Sequence, residues 1–458
     1  VTFPHSGAIR PAKTQTFDLI LRGGTVVTPG GEARTDIGII GERIARIGNL
    51  SQAAAGEIYG AAGLHILPGV LDTQAHFREP GLEYKADLET EARSAAFGGV
   101  TAVFEMPNTD PSTITPDLML DKLARAKGRM DIDHAFYAGA THTNTDLLPE
   151  MERMVGCCGV KVFMGASTGD LLVHDDAGVE AVIKAIKRRA AFHSEDESRL
   201  AERRPLARTG DWNSHPEVRD VETAIMSTKR LLRIARAAGT RIHVLHISTA
   251  EEPDLLRDAK DVASVECLPQ HLTLAAPECY ERLRGYVQMN PPIREARHRD
   301  ALWRAVNAGI VDVMGSDHAP HTKEENARPH PASSSGMPGV QAMVPIMLTH
   351  VNDGKLSLQR FVELTSAGPQ RVFGLADKGR IAEGYHADFT IVDLKRKETI
   401  TAEWSKSKCG WTPFDGFEAT GWPVATIVRG GFVMRDGEIT RKGAGQPVRF
   451  NETLEVAG

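Results

Sequence analysis

The chain has 458 residues, 41% of them hydrophobic and 25% charged, with a formal net charge of −6. That composition buries a large core, as one big barrel with an accessory domain or as about two or three domains. The mild acidity, without any basic block, argues against nucleic acid as the main partner, and no apolar run approaches the roughly eighteen residues of a membrane span.

Residues 1–16 lack the apolar core of a signal segment and are expected to form a disordered tail. The following segments, FDLILRGGTVVTPG and TDIGIIGERIARIGNL, are short strands broken by glycine, the pattern of hairpins. From residue 66 the texture alternates. Apolar runs at 66–72, 101–106, 133–139, 159–164, 190–195, 241–248, 263–269 and 311–317 are predicted strands. Helical patterns such as DLMLDKLARAKGRM and VETAIMSTKRLLRIARAAG lie between them. Eight strands alternating with helices predict an α/β fold, a (β/α)8 TIM-type barrel. Strand-rich texture returns in ADFTIVDLK and ATIVRGGFVMRDGEI, so both chain ends are expected to build one small β-sandwich domain. The predicted division is 1–67 and 379–458 for that domain and 68–378 for the barrel. The polar loop from His318 to about Gly339 is long enough to form a lid over the C-terminal barrel face. Five cysteines at irregular spacing predict free, mostly buried thiols in a reducing cytoplasm, not a disulfide framework.

In such a barrel, catalytic groups collect where strands end. His76 and Arg78, in DTQAHFR, follow the first strand, and Asn108 follows the second. Lys161 lies in the fourth, His193 in the fifth and His246 near the end of the sixth, and Asp317 ends the eighth. Taken singly, each has an ordinary reading: a lone histidine is most often a hydrogen-bonded core or surface residue, and Asp317 could cap the next segment. Recurrence at successive strand ends is what points to one site. Lys161 stands between Val160 and Val162 in an apolar strand. A buried lone ammonium is costly and tends to lose its charge. Two readings stay open for it: a lysine paired with an acid or facing solvent, or an amine carrying carbon dioxide as a carbamate, an anion whose two oxygens can bridge two metals.

The stretches HFREPG, EMPNT, GVKVFM, HVLHIS, NPPIR and GSDHAPH resemble the cyclic-amidohydrolase group of the amidohydrolase superfamily, and within it the dihydroorotases. The likeness runs from LILRGGTVV to VRGGFV, nearly the whole chain. It implies a metal-dependent hydrolase of cyclic amides, interconverting N-carbamoyl-L-aspartate and L-dihydroorotate in pyrimidine biosynthesis. One or two divalent ions, usually Zn2+, are implied on His76, Lys161, His193, His246 and Asp317, with Lys161 carboxylated where it bridges two. Asp317 is implied as general base and then acid. Arg78, Asn108 and His321 are implied to hold the substrate carboxylate, and Asn290, in NPPIR, to touch the substrate ring. His271, in LPQHL, follows Gln270 where the family tends to carry two histidines. The implied protein is a cytoplasmic homo-oligomer, a dimer or tetramer, acting on a small anionic cyclic amide. Arg78 gives a physical reason for the anion, because a guanidinium fork matches a carboxylate.

Gln74 departs from the pattern, which has a histidine there. A neutral amide oxygen is a weaker zinc ligand than imidazole and suits harder cations. Three expectations follow: one metal on the His193/His246 side with activity kept, two metals with the first weakly held, or a catalytically weak dihydroorotase-like binding subunit. A related cyclic amidase of the hydantoinase or allantoinase type is the other alternative.

Overall fold

The computed structural model describes residues 16–165 and 171–453. The expected tail, residues 1–16, therefore lies outside the described residues except for Thr16. The chain begins with β1 (Phe17–Thr28), β2 (Gly31–Ile40), β3 (Arg43–Gly48), β4 (Ala55–Gly60) and β5 (His65–Pro68). The next eight strands are β6 (Val70–Ala75), β7 (Val100–Glu105), β8 (Asp133–Gly139), β9 (Cys157–Phe163), β10 (Ala190–His193), β11 (Ile242–Val244), β12 (Ala263–Cys267) and β13 (Val313–Met314). It closes with β14 (Phe389–Ile400), β15 (Phe417–Val428), β16 (Gly431–Arg435) and β17 (Glu438–Ile439).

Strands β6 to β13 neighbour one another in chain order within a single sheet. A parallel bridge between Ala75 and His318 joins its two edges, so the sheet closes into a barrel. Every residue of β6 to β10 is buried. Parallel strands covered on both faces must be apolar throughout, which is why they read as continuous hydrophobic runs. The helix Val221–Ala238 shows how the outer layer is specified. Asp220 accepts from Thr223 N at its start, Gly239 ends it in a left-handed conformation, and Leu231, Leu232 and Ala235 are buried from one face.

The other strands form one sheet in the order β17-β16-β15-β14-β5-β1-β2-β3, with β4 alongside β1. The two chain ends meet where β14 pairs with β5, Ile391 opposite Ile66. Leu21, Ile37, Ile39, Ile66, Phe389 and Ile427 give this sheet a core of its own. A buried charge cluster ties it to the base of the barrel. Arg429, just past β15, lies 2.9 Å from Asp133 at the start of β8, and Lys378 sits 2.6 Å from Asp133 and 2.5 Å from Asp388. All five cysteines are free and four are buried. Among the described residues no helix is long and apolar enough to cross a membrane.

Three strands differ most from expectation in extent. The run at 66–72, expected as one strand, is split: residues up to Pro68 pair in the terminal sheet, and the barrel begins at Val70. Gly69 permits the crossing, since a Cβ there would stand 2.4 Å from Thr101 Oγ1. The runs at 241–248 and 311–317 shrink to Ile242–Val244 and Val313–Met314. His246 and Asp317 have φ of 34° and 43°, conformations that an extended ladder cannot contain. Arg78, past the end of β6, has φ of 69°. Backbone of this kind costs roughly 1–3 kcal/mol per residue and gathers at functional sites.

Candidate active site

At the C-terminal end of the barrel strands lies a cavity of about 100 Å³. Gln74, His76, Arg78, Asn108, Lys161, His193, His246, Asn290 and Asp317 line it, with Phe163, Met289, Ala319, Ser335 and Gly336. Of the residues the resemblance assigns to metal or substrate, only His321 is not on this wall. It stands directly behind Arg78, with Nε2 3.1 Å from the guanidinium.

His193 Nε2 lies 2.8 Å from Glu195 Oε2. A carboxylate accepts, so Nε2 carries the proton and Nδ1 keeps its lone pair. That Nδ1 is 3.1 Å from His246 Nε2. Two nitrogens on one tetrahedral zinc-like ion stand about 3.3 Å apart, so the pair is spaced for a shared cation. Glu195 is paired in turn with Arg219. Burial alone would raise its carboxyl, but Arg219 and His193 outweigh that and bring it down to about 2. Burial also holds the imidazoles of His76, His193 and His246 below their usual range, which keeps them neutral near pH 7.

Across the cavity, His76 Nδ1 is 2.7 Å from Asn108 Oδ1. The neutral ring has one proton for two acceptors, this carbonyl at Nδ1 and, 3.2 Å from Nε2, Asp317 Oδ1. Gln74 Nε2 donates to the same oxygen at 3.0 Å, and Gln74 Oε1 is left buried without a partner among the described residues. Lys161, 1% exposed, has its ammonium 4.5 Å from the centre of the Phe163 ring. Among the described residues no carboxylate stands within ion-pair distance of it, and burial brings its pKa down to about 7. The reading of a paired or solvent-facing lysine therefore does not hold for the described residues. A divalent cation fits this donor set: two converging neutral imidazoles, an amine without a counter-ion that can become an anion, and an orphaned amide oxygen.

The opposite wall suits an anion. Arg78 donates from Nε to Pro320 O at 3.0 Å, one terminal nitrogen faces His321, and the other has no partner among the described residues. Burial lowers the guanidinium to about 10, still a cation at neutral pH. Asn290 Oδ1 is buried and has no partner among the described residues. Its turn is held by His271, whose Nε2 donates to Pro291 O at 3.1 Å. Gln270 Nε2 donates to Ser316 O at 2.7 Å, fixing the turn that carries Asp317. From the loop after His318, Gly336 N donates to Gln288 O at 2.8 Å, and Asn326 Nδ2 bonds to Gly285 O at 3.1 Å.

Sequence reasoning missed Glu195 and Lys85. Glu195 follows His193 by two residues, and an acid so close to a strand-end histidine was a usable signal. Lys85 gave none, because its contact is with His321, 236 residues away. Two other places are set apart from the site. A cavity of about 380 Å³ at Thr28, Pro68 and Arg371 contains none of the predicted residues. The group His142, His174 and Asp175 brings ligand atoms within 4.8 Å of one another, but His142 already meets Asp175 at 3.4 Å near the surface.

Known proteins are similar to this chain over most of its length. The amidohydrolase family matches residues 65–433. A dihydroorotase of Halobacterium salinarum is 35% identical over 425 residues, 90% of this chain and 96% of that one. An L-hydantoinase of Paenarthrobacter aurescens is 32% identical over 450 residues, 94% of this chain and 97% of that one. The solved L-hydantoinase (dihydropyrimidinase) from Arthrobacter aurescens superposes with a TM-score of 0.91 at 30% identity, covering 94% of this chain and 99% of its own.

Proposed function

We propose a function from one premise: the chain belongs to the amidohydrolase family. It is a metal-dependent hydrolase of cyclic amides, and its substrate pair is L-dihydroorotate and N-carbamoyl-L-aspartate. The observation that carries the substrate is Arg78, a cation 6% exposed on the cavity wall with one terminal nitrogen unengaged among the described residues. A carboxylate-bearing ring answers that charge, whereas a hydantoin or dihydropyrimidine ring without the carboxylate leaves it desolvated and unpaired. Relatives at similar identity bear both names, and the charge on this wall supports the first.

His193 Nδ1, His246 Nε2 and Lys161 would hold the cation, which we assign as zinc because the imidazoles dominate. The neutral Lys161 amine adds carbon dioxide and releases one proton, giving a carbamate that supplies the anionic ligand the site otherwise lacks. His76 and Asp317 face it from the other side. Gln74 offers that side only an amide oxygen, so a second cation is weakly held there. When bound, the metal polarises the ring carbonyl and acidifies water.

The chain's own groups do the rest. Arg78, Asn108 and His321 hold the carboxylate, which fixes the reacting carbonyl in place. Asn290 Oδ1 accepts from a ring N–H. Asp317, oriented through Oδ1 by Gln74 Nε2, takes a proton from the attacking water and passes it to the ring nitrogen as the C–N bond breaks. Four buried free thiols are consistent with a reducing cytoplasm.

The test compares L-dihydroorotate with an unsubstituted hydantoin on zinc-loaded protein. We expect kcat/KM for dihydroorotate to lead by roughly a hundredfold, the worth of one charge-assisted bidentate contact. Equal or faster turnover of the uncharged ring would put the hydantoinase reading ahead.

A further inference from the structure

His321 lies between two cations. Lys85 Nζ is 3.1 Å from its Nδ1, and an Arg78 terminal nitrogen is 3.1 Å from its Nε2. Neither cation can accept a hydrogen bond. Lys85 is 9% exposed and is fixed from behind by Glu325 at 3.0 Å. Glu325 belongs to a capping box with Thr322 and receives the Tyr84 hydroxyl at 3.3 Å. The ammonium is therefore held in one place and donates to Nδ1, while Glu325 Oε2, 3.6 Å from the same nitrogen, stands beyond hydrogen-bond reach.

That donation decides where the imidazole proton sits. Burial, with Arg78 and Lys85 adding to it, holds the ring neutral at ordinary pH. With Nδ1 accepting, the proton of the neutral ring is on Nε2. Nε2 reaches one acceptor, Ser335 O, at a long 3.3 Å, and Ser335 lines the cavity. Two donors, His321 Nε2–H and the Arg78 guanidinium, thus converge beside the cavity wall with one poorly placed carbonyl to serve them. Such a pair is complete only when an anionic oxygen enters.

We propose that Lys85 is a positioning residue: it fixes His321 in the Nε2–H tautomer, so that His321 and Arg78 grip the substrate carboxylate together. Without Lys85 the proton is free to move to Nδ1, and Nε2 would then present a lone pair to the incoming anion. The grip rests on the functional reading above, but the tautomer does not. The sequence gives no hint of this, because Lys85 is nine residues past His76 and its partners come from the far end of the barrel.

The test uses full-length Lys85→Met and Lys85→Arg. Long-range 1H–15N correlation of the histidine rings, with the His321 signal assigned from a His321→Asn sample, reads the tautomer directly. We expect Nε2–H in the parent protein, a shift towards Nδ1–H in Lys85→Met, and recovery in Lys85→Arg. With zinc loaded, KM for dihydroorotate should rise roughly tenfold in Lys85→Met while kcat stays within about threefold. Lys85→Arg should regain most of the difference, and dihydrouracil, which has no carboxylate, should not discriminate among the three proteins. Orotate affinity by calorimetry should fall in parallel with KM. An unchanged tautomer in Lys85→Met, or loss of kcat and thermal stability at constant KM, would overturn the proposal. If the parent protein fails on dihydroorotate, the functional reading fails alone, and the tautomer together with orotate affinity still decides the role of Lys85.

Discussion

Lys378 and Lys161 are both almost wholly buried, at 2% and 1% exposure, and their surroundings are opposite. Lys378 lies at the base of the barrel between Asp133 and Asp388, with Arg429 against Asp133. Burial alone would lower its pKa, but the two carboxylates outweigh it and hold the ammonium above its usual range. Lys161 points into the cavity at the other end of the strands and meets a phenyl ring instead of an acid. Lys85 and Lys122, also buried, have Glu325 and Glu105 as partners. Where a buried charge serves to join parts of the fold, it is paired; Lys161 is the one buried lysine among the described residues without a carboxylate. Unpaired buried titratable groups in a cleft mark the place where chemistry is expected.

Breaking the contrast at its unpaired end should have the largest effect. On the proposed function, Lys161→Ala removes the anionic metal ligand, so bound metal should be lost and turnover should fall more than about a thousandfold. Propionate, filling the space with a carboxylate, should restore part of both. Asp317→Asn should cost roughly a thousandfold in kcat, the worth of a general base, while metal content stays unchanged. A variant that loses its metal along with its rate would show that Asp317 acts as a ligand first. Gln74→His sharpens the same end: metal content should rise from about one to about two per chain, with kcat changed less than about tenfold.

At the paired end, Lys378→Met should leave kcat within about twofold and cost about 3–5 kcal/mol of stability, since it leaves buried Asp388 without its cation and Asp133 with Arg429 alone. The pH dependence of unfolding follows from the same cluster. Burial alone would raise the Asp133 carboxyl, but Lys378 and Arg429 hold it below its usual range. Its contribution is therefore present above about pH 4 and lost as pH falls through the folded value. The raised Lys378 contributes below about pH 10.4 and its share is lost as pH rises through the folded value. Thermal melts across pH should show both limbs, and Lys378→Met should flatten the alkaline one.

The barrel was legible because parallel strands covered on both faces must be apolar along their whole length, and polar residues then stand out at their ends. His76, Lys161, His193 and Asp317 were found in that way. Strand limits were less legible. The residues after Val244 and Met314 stay buried although the ladder stops, so hydrophobicity alone extends the strands too far. The crossing at Gly69 was hidden for the same reason, since both sheets draw on one apolar run. Partnerships were not legible at all. The Glu195–Arg219 pair, the Lys85–His321 contact and the bond from Gln74 to Asp317 join residues far apart in sequence or depend on which way a side chain turns. Periodicity reports burial and cannot report these.

The most direct test of the account is metal analysis and dihydroorotate turnover on the same purified sample, before chelation, after it, and after zinc is returned. About one equivalent of tightly held metal is expected, with turnover that disappears with the metal and recovery of both together. Undiminished turnover in the chelated protein, or a folded, zinc-loaded protein that leaves dihydroorotate untouched, would contradict it.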